Sequence, residues 1–446
     1  MDTHTILFFS EKLTNRVKYV AELIFQDLLG LSLSFTQDET NFVDSALPKI
    51  NYSQTPLSEK LSSNNTSTIN KRELFIKNHT LLFENQIISK HLEYDFSFIH
   101  QCNPLAFDFL AFTFLFVTRY EEYIAPSSAF DVHGRFPAHA SIASKHVFLQ
   151  KPIINQWVVK LNLQLKTLFP ELQTRLPTYS FQPTFDIDMP WRYKHKRFIR
   201  TLGGWVKDVL TGKWSDVILR LQILRGYTND PDFTFPYILD WHKQHDLYPI
   251  FFLLLGDYGE FDKNPNVQLP VFQAFLQSIT QEYEVGLHPS YRSNTSVEIL
   301  AKEKGRFERI TNTPLSKSRQ HFLKLRFPET YNNLETINVT EDYSLGYADA
   351  IGFRASIATP FRWYDLAKDE CSDLIIHPFQ VMDVTLKDYL NLSPDEALEQ
   401  VALLIAETKK VGGTFITLWH NPSLSNTEGW ANWRFVYEKI ALLAKA

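Results

Sequence analysis

Short apolar runs recur along the chain, and the residues that flank each run decide what it becomes. Thr5-Ile6-Leu7-Phe8-Phe9 predicts a strand, and Arg16 to Leu29 then carries apolar residues near a 3.6 period, which predicts a helix. Phe107 to Tyr123 predicts a buried helix, followed by a turn at Asp131-Val132-His133-Gly134-Arg135-Phe136. The polar tract 62–68 predicts a solvated loop. Pro170 and Pro177 lie around a helical stretch near 150–178, and close to residue 175 the texture changes. Beyond that point Tyr179 to Phe185, Ile250 to Leu255, Glu284 to Leu287, Leu374 to Ile376 and Thr414 to Trp419 predict strands, with amphipathic helices between them. Thr295-Ser296-Val297-Glu298 matches a capping box, and so does Ser393-Pro394-Asp395-Glu396, with proline at the first helical position. Gly412-Gly413 then ends the second of these helices. This alternation predicts an α/β fold with parallel strands and helical crossovers. The expected organisation is an N-terminal α/β accessory domain over 1–175 and a second domain over 176–446, long enough for a (β/α) barrel of roughly 250 residues.

Charge and cysteine content narrow the chemistry. Forty-five Lys and Arg stand against 50 Asp and Glu, a net charge of -5, which argues against a nucleic-acid partner held by phosphate neutralisation. Cys102 and Cys371 are too few for a disulfide framework or a thiolate zinc site, so a metal here must sit on His, Asp or Glu. Nothing near Met1 has the basic and apolar regions of a signal peptide, and no apolar run approaches the roughly 20 residues of a membrane span. The expectation is a cytoplasmic protein with no membrane partner and an oligomeric state that the sequence leaves open.

The candidate chemistry lies at strand ends. Pro183-Thr184-Phe185-Asp186-Ile187-Asp188-Met189-Pro190 delivers two carboxylates from an apolar run that proline then stops. Asp186 and Asp188 point to one side of an extended segment, and like charges held so close call for a cation, an arginine or a shared proton. His288 follows Val285-Gly286-Leu287, and His420 follows Phe415-Ile416-Thr417-Leu418-Trp419. An isolated Asp-x-Asp can be a turn pair, and a lone strand-end histidine is more often structural. Parallel strands open on one face, however, and three coincident strand ends favour a metal or acid/base cluster.

These residues fall within motifs that resemble a known family. Thr184-Phe185-Asp186-Ile187-Asp188, Gly286-Leu287-His288-Pro289-Ser290-Tyr291, Ser318-Arg319-Gln320-His321-Phe322 and Leu418-Trp419-His420-Asn421 look like the ordered motifs of polysaccharide deacetylases, the NodB-homology or carbohydrate esterase family 4 enzymes. Asp342 to Tyr347, Gly352-Phe353-Arg354 and Pro360-Phe361 add weaker matches. Together with Arg119-Tyr120-Glu121-Glu122-Tyr123 and His133-Gly134-Arg135-Phe136, they resemble a Bacteroidetes-type subgroup with an extra N-terminal domain. The resemblance implies a distorted (β/α) barrel of the deacetylase type and metal-dependent removal of acetyl groups from an N-acetylated sugar or glycan. By the same resemblance Asp186 is the general base, His420 the general acid and Arg319 the partner that holds Asp186 ionised. Asp188 and His288 bind a divalent metal, most often zinc, which lowers the pKa of water toward ~7 and polarises the acetyl carbonyl.

Two departures from the family pattern matter. Ile187 separates two aspartates that are usually adjacent, and four residues after His288 stands Arg292, which stays protonated and cannot ligate a metal. A third ligand must come from elsewhere. His321 is the first candidate, beside Arg319, and His377 the second, just after Leu374-Ile375-Ile376. Trp419, Tyr347 and Trp191 are candidates for a sugar-stacking wall, with core packing as the alternative. Trp191 to Arg197 is either a solvated helix face or an anion contact, Arg354 is expected to pair with Asp342 or Asp186, and the role of Asp383 stays open. Two other functions remain: a noncatalytic glycan-binding descendant, and a two-carboxylate glycoside hydrolase.

Overall fold

A computed structural model describes residues 4–446 apart from 58–71, 94–95, 97–98, 100–102, 197 and 428. The polar tract 62–68 and Cys102 lie outside the described residues. The first strand, β1 (Thr5–Ser10), sits inside a four-stranded sheet with β2 (Ser32–Thr36), β3 (Lys49–Ser53) and β4 (Leu74–Lys77), in the order β2-β1-β3-β4. Every pairing is parallel. Helices cover parallel strands on both faces, which is why β1 and β3 are buried almost throughout rather than alternating. The predicted helix from Arg16 runs as Asn15–Ala21 and widens into a π-helical stretch over Glu22–Asp27.

The expected single helix from Phe107 to Tyr123 is two helices, Phe109–Val117 and Tyr120–Ile124. Arg119 breaks it by adopting a left-handed conformation at φ 54°. Its guanidinium is held there by Glu121 at 2.8 Å, Glu122 at 2.7 Å and the Tyr347 hydroxyl at 2.9 Å. A conformation unfavourable for a residue with a Cβ is thus offset by a buried charged network.

The second sheet begins at β5 (Ser180–Ile187) and continues with β6 (Ile250–Leu254), β7 (Val285–His288), β8 (Lys317–Ser318), β9 (Glu341–Asp342), β10 (Phe361–Asp365), β11 (Glu370–Ile376), β12 (Val381–Met382) and β13 (Thr414–His420). Its order is β10-β11-β9-β8-β7-β6-β5-β13-β12. All pairings are parallel except the β10–β11 hairpin. Gly286 in β7 lets the Phe252 ring and the Lys317 carbonyl close in, because a Cβ would meet them at 2.7 and 2.8 Å.

The two faces of this sheet pack differently. Phe185, Ile187, Phe251, Phe415 and Trp419 join the large core beneath the helices, while Phe252, Ile416, Leu418, Tyr343 and Phe379 form a second buried cluster on the other face. Side chains alternate along a strand, so Asp186 and His420 belong to the face of the second cluster.

Helix starts are partly as predicted. Pro394–Lys410 has the full reciprocal capping box of Ser393 and Glu396, whereas Val297–Thr311 is capped by Ser296 rather than Thr295, with the Ser296 hydroxyl accepting from Ile299. Gly412 adopts φ +67°, and a Cβ there would lie 1.9 Å from the Pro177 carbonyl, so only glycine fits between the helix Pro394–Lys410 and β13. Residues before 175 are joined to the second sheet by buried polar contacts. Arg354 meets Glu122 at 2.7 Å, Arg16 meets Asp369 at 2.7 Å, and the Tyr19 hydroxyl donates to the Arg362 carbonyl at 2.7 Å. Among the described residues no helix is long and apolar enough to cross a membrane.

Candidate metal centre

Strand register assembles the site. Asp186 on β5 lies directly beside His420 on β13, and two strands away His288 closes β7. His321 arrives from the turn after β8, where Phe322 and Leu323 both take left-handed conformations, at φ 61° and 54°. The residues converge on a cleft of about 200 Å³ lined by Asp186, Asp188, His288, His321 and His420 together with Arg135, Phe322, Leu323, Met382 and Tyr389.

Asp188, His288 and His321 each offer one ligand atom within 4.8 Å of the others. The His288 Nε2 lies 3.3 Å from Asp188 Oδ1, and the His321 Nε2 lies 3.8 Å from Asp188 Oδ2. Ligands at 2.0–2.1 Å around a tetrahedral ion are about 3.3 Å apart, so this spacing suits a shared divalent cation. Asp188 Oδ1 is buried and makes no well-formed hydrogen bond, facing only the His288 Nε2 at 3.3 Å, which leaves it available to a cation. Both rings are oriented through their other nitrogen. His288 Nδ1 is 2.6 Å from the Arg319 carbonyl, which only accepts, and His321 Nδ1 is 2.9 Å from Asp262 Oδ1. Each imidazole therefore holds a proton on Nδ1 and turns Nε2 toward Asp188, the arrangement a metal-binding histidine requires. The donor set of one carboxylate and two imidazoles fits zinc or a similar ion.

Electrostatics reflect this crowding. Burial would raise the Asp188 carboxyl, but the charges of His321, His288 and His420 outweigh it and hold the group below the ordinary carboxylate range. Burial lowers His288, yet the charges of Asp186 and of the close-lying Asp188 leave it raised.

Two further pairs flank the cluster. Arg319 is fully buried and reaches Asp186 Oδ1 at 3.2 Å and the Tyr343 carbonyl at 3.0 Å, with its guanidinium 4.5 Å from the centre of the Phe252 ring. On the other side His420 Nδ1 lies 2.8 Å from Asp383 Oδ1, while Asp383 Oδ2 accepts the His420 backbone N–H at 2.8 Å. Burial would lower His420, but the charge and hydrogen bond of Asp383, with Asp188 and Asp186 behind them, push it up to about 10. Its Nε2 faces Asp188 Oδ2 at 3.9 Å.

Several expected residues lie elsewhere. Trp419 is fully buried against Tyr437 at 5.0 Å, because the neighbour of an inward-facing His420 must point to the opposite face. Trp191 stacks on Phe233 at 5.5 Å within the core, and Tyr347 is enclosed by Arg119 and Arg354, so none of the three forms a sugar wall. Arg354 pairs with Glu122, not with Asp342 or Asp186. His377 is bound to Glu341 at 3.0 Å and stacked on Tyr343 at 4.3 Å, which removes it as a ligand candidate. Arg292 is exposed and does not line the cleft. In the basic stretch, Asp230 accepts the backbone N–H groups of Arg192, Tyr193 and Lys194, and Arg192 pairs with Asp232 at 2.7 Å.

Residues that sequence reasoning missed are those that hold others. Asp262 orients His321 and was not singled out, while Asp383, whose role the sequence left open, orients His420, and no spacing links either to its partner. Arg135 reaches the cleft from the N-terminal half, pairing with Asp131 at 2.7 Å and donating to the Phe322 carbonyl at 3.2 Å and the Tyr389 hydroxyl at 3.0 Å.

No curated protein matches the chain. Among solved structures it is similar to one assigned as a polysaccharide deacetylase from Mycobacterium smegmatis, at 16% identity and TM-score 0.39, covering 60% of this chain and 86% of that one. It is also similar to a polysaccharide deacetylase from Bacillus cereus, at 13% identity and TM-score 0.29, covering 59% and 87%. A third is a CE4 family pseudoenzyme from Bacillus anthracis, at 14% identity and TM-score 0.28, covering 59% and 62%. Residues 6–170 match the model of a family of unknown function, DUF7033.

Proposed function

We propose that the chain is a metal-dependent hydrolase that removes acetyl groups from an N-acetylated sugar or glycan. The observation that carries this reading is the convergence of Asp188, His288 and His321 on one point, with Asp186 and His420 on the same cleft. The motifs around these residues, which resemble those of polysaccharide deacetylases, support the choice of a carbohydrate amide as substrate. In this reading residues 176–446 form a distorted (β/α) barrel of the deacetylase type, open between β12 and β10. Residues 1–175 are an accessory domain that contributes Arg135 to the mouth of the cleft.

Asp188, His288 and His321 hold the cation, with zinc the first choice. A bound divalent ion supplies Lewis acidity toward the acetyl carbonyl and lowers the pKa of water. Asp186, beside the Arg319 guanidinium at 3.2 Å, takes a proton from the attacking water. His420, kept protonated by Asp383, gives a proton to the departing sugar amine. The glycosidase alternative is disfavoured because Asp186 and Asp188 are the two acids lining the cleft and both face His288, at 3.6 and 3.3 Å. Neither is left for the far side of a sugar ring.

Acetate release from N-acetylated oligosaccharides tests the proposal. The expected result is turnover that chelator abolishes and zinc restores. Release of reducing ends that persists in chelator would overturn it.

A further inference from the structure

Between β5 and the helix Phe235–Gln244 the chain inserts a pair of helices, Phe198–Leu210 and Trp214–Leu224. The insertion leaves the sheet at the end of β5 that carries Asp186 and Asp188. Its geometry is fixed from within. Arg220 bonds Asp208 at 2.5 Å, lies over the Tyr193 ring at 4.7 Å, and packs so closely on Gly204 that a Cβ there would meet its guanidinium at 2.7 Å. Val217 and Ile223 are buried.

The outward face of this hairpin is apolar. Leu202, Val206, Val209 and Leu210 recur at helical spacing along the first helix, and Trp214 and Ile218 continue the stripe on the second. Leu210 is 81% exposed and Trp214 61% exposed. Eight of the twenty exposed large hydrophobic residues among the described residues fall between 202 and 227, so this is a patch rather than scatter. The same segment is strongly basic. Residues 192 to 232 contain nine Lys or Arg and four Asp, a local charge of +5 on a chain whose total is -5, with Arg192 paired to Asp232 and Arg220 to Asp208.

We propose that this hairpin docks the protein on an anionic lipid surface. An amphipathic helix with Trp and Leu on one face and Lys and Arg around it lies in the headgroup region, burying its apolar side while its cations meet lipid phosphates. The expectation of no membrane partner rested on the lack of a spanning segment, and an interfacial helix needs none. Charge separates this occupant from the others. A second copy of the chain would bring +5 against +5 across a two-fold interface. A nucleic acid would satisfy the cations and leave the apolar stripe in water. The inference is independent of the chemistry at the metal cluster.

The full-length protein is tested by flotation with vesicles of phosphatidylcholine alone or mixed with phosphatidylglycerol. Binding to the anionic vesicles is expected to be at least about tenfold tighter, to weaken with added salt, and to fall at least about tenfold in Leu210→Glu/Trp214→Glu and in Lys207→Glu/Lys213→Glu. Unchanged thermal unfolding of these exposed-site variants shows that folding is not the cause. Equal binding to neutral vesicles, no flotation, or flotation that survives Leu210→Glu/Trp214→Glu would overturn the proposal. So would a dimer that those same substitutions dissolve in a protein without vesicle affinity.

Discussion

Asp383 holds His420 at two points, accepting its backbone N–H with one carboxylate oxygen and facing its Nδ1 with the other, both at 2.8 Å. The second contact fixes the ring and favours the imidazolium. Asp383→Asn keeps the shape and removes the charge, so His420 loses its proton at lower pH. The alkaline limb of the acetate-release profile should move downward, with a loss of about tenfold to a hundredfold in kcat at neutral pH. An unmoved limb would remove His420 from the role of acid.

The same pair makes stability depend on pH. His420 is raised from 6.5 to about 10, so the folded state binds its proton more tightly than the unfolded chain. Its contribution is complete below about pH 6.5 and is lost as pH rises toward about 10. In chelator-treated protein, urea unfolding across this window should show falling stability, and His420→Gln should flatten that slope.

Asp186 is buried beside Arg319 and stands outside the group of Asp188, His288 and His321 that could share an ion. Asp186→Asn should therefore keep the metal while reducing acetate release about a thousandfold. Metal analysis of the purified variant checks the first part and single-turnover kinetics the second.

Arg354 and Glu122 form a buried bidentate pair between the two halves of the chain, at 3.0 and 2.7 Å. Arg354→Met leaves Glu122 with Arg119 alone and should cost about 3–5 kcal/mol of unfolding free energy. Denaturant titration measures it. Arg362→Ala, which removes a half-exposed pair with Glu22 at 3.1 Å, should cost below about 1 kcal/mol in the same assay.

How far the sequence reaches depends on the length of each signal. The long strands β5, β6 and β13 were legible because an apolar run gives its period directly. The two-residue strands β8, β9 and β12 are too short for any periodicity. Asp186, His288 and His420 stood out because each ends such a run, and His321 because it belongs to a motif beside Arg319. Asp262 lies 59 residues from His321, and Asp383 37 residues from His420, so only the folded chain joins them. Trp419 was readable after all: strand alternation sends the neighbour of an inward-facing histidine to the other side. The break at Arg119 was not, since the network that holds its left-handed conformation includes Tyr347, which lies 228 residues away, as well as the local Glu121 and Glu122.

The grouping of Asp188, His288 and His321 stands or falls on whether the protein holds a divalent ion. The protein as purified should carry about one equivalent of zinc, manganese or nickel, measured by plasma emission, and Asp188→Ala and His321→Ala should each lose it while remaining folded. A folded protein that neither retains nor rebinds a divalent ion, or a His321→Ala variant with undiminished affinity, would contradict the account.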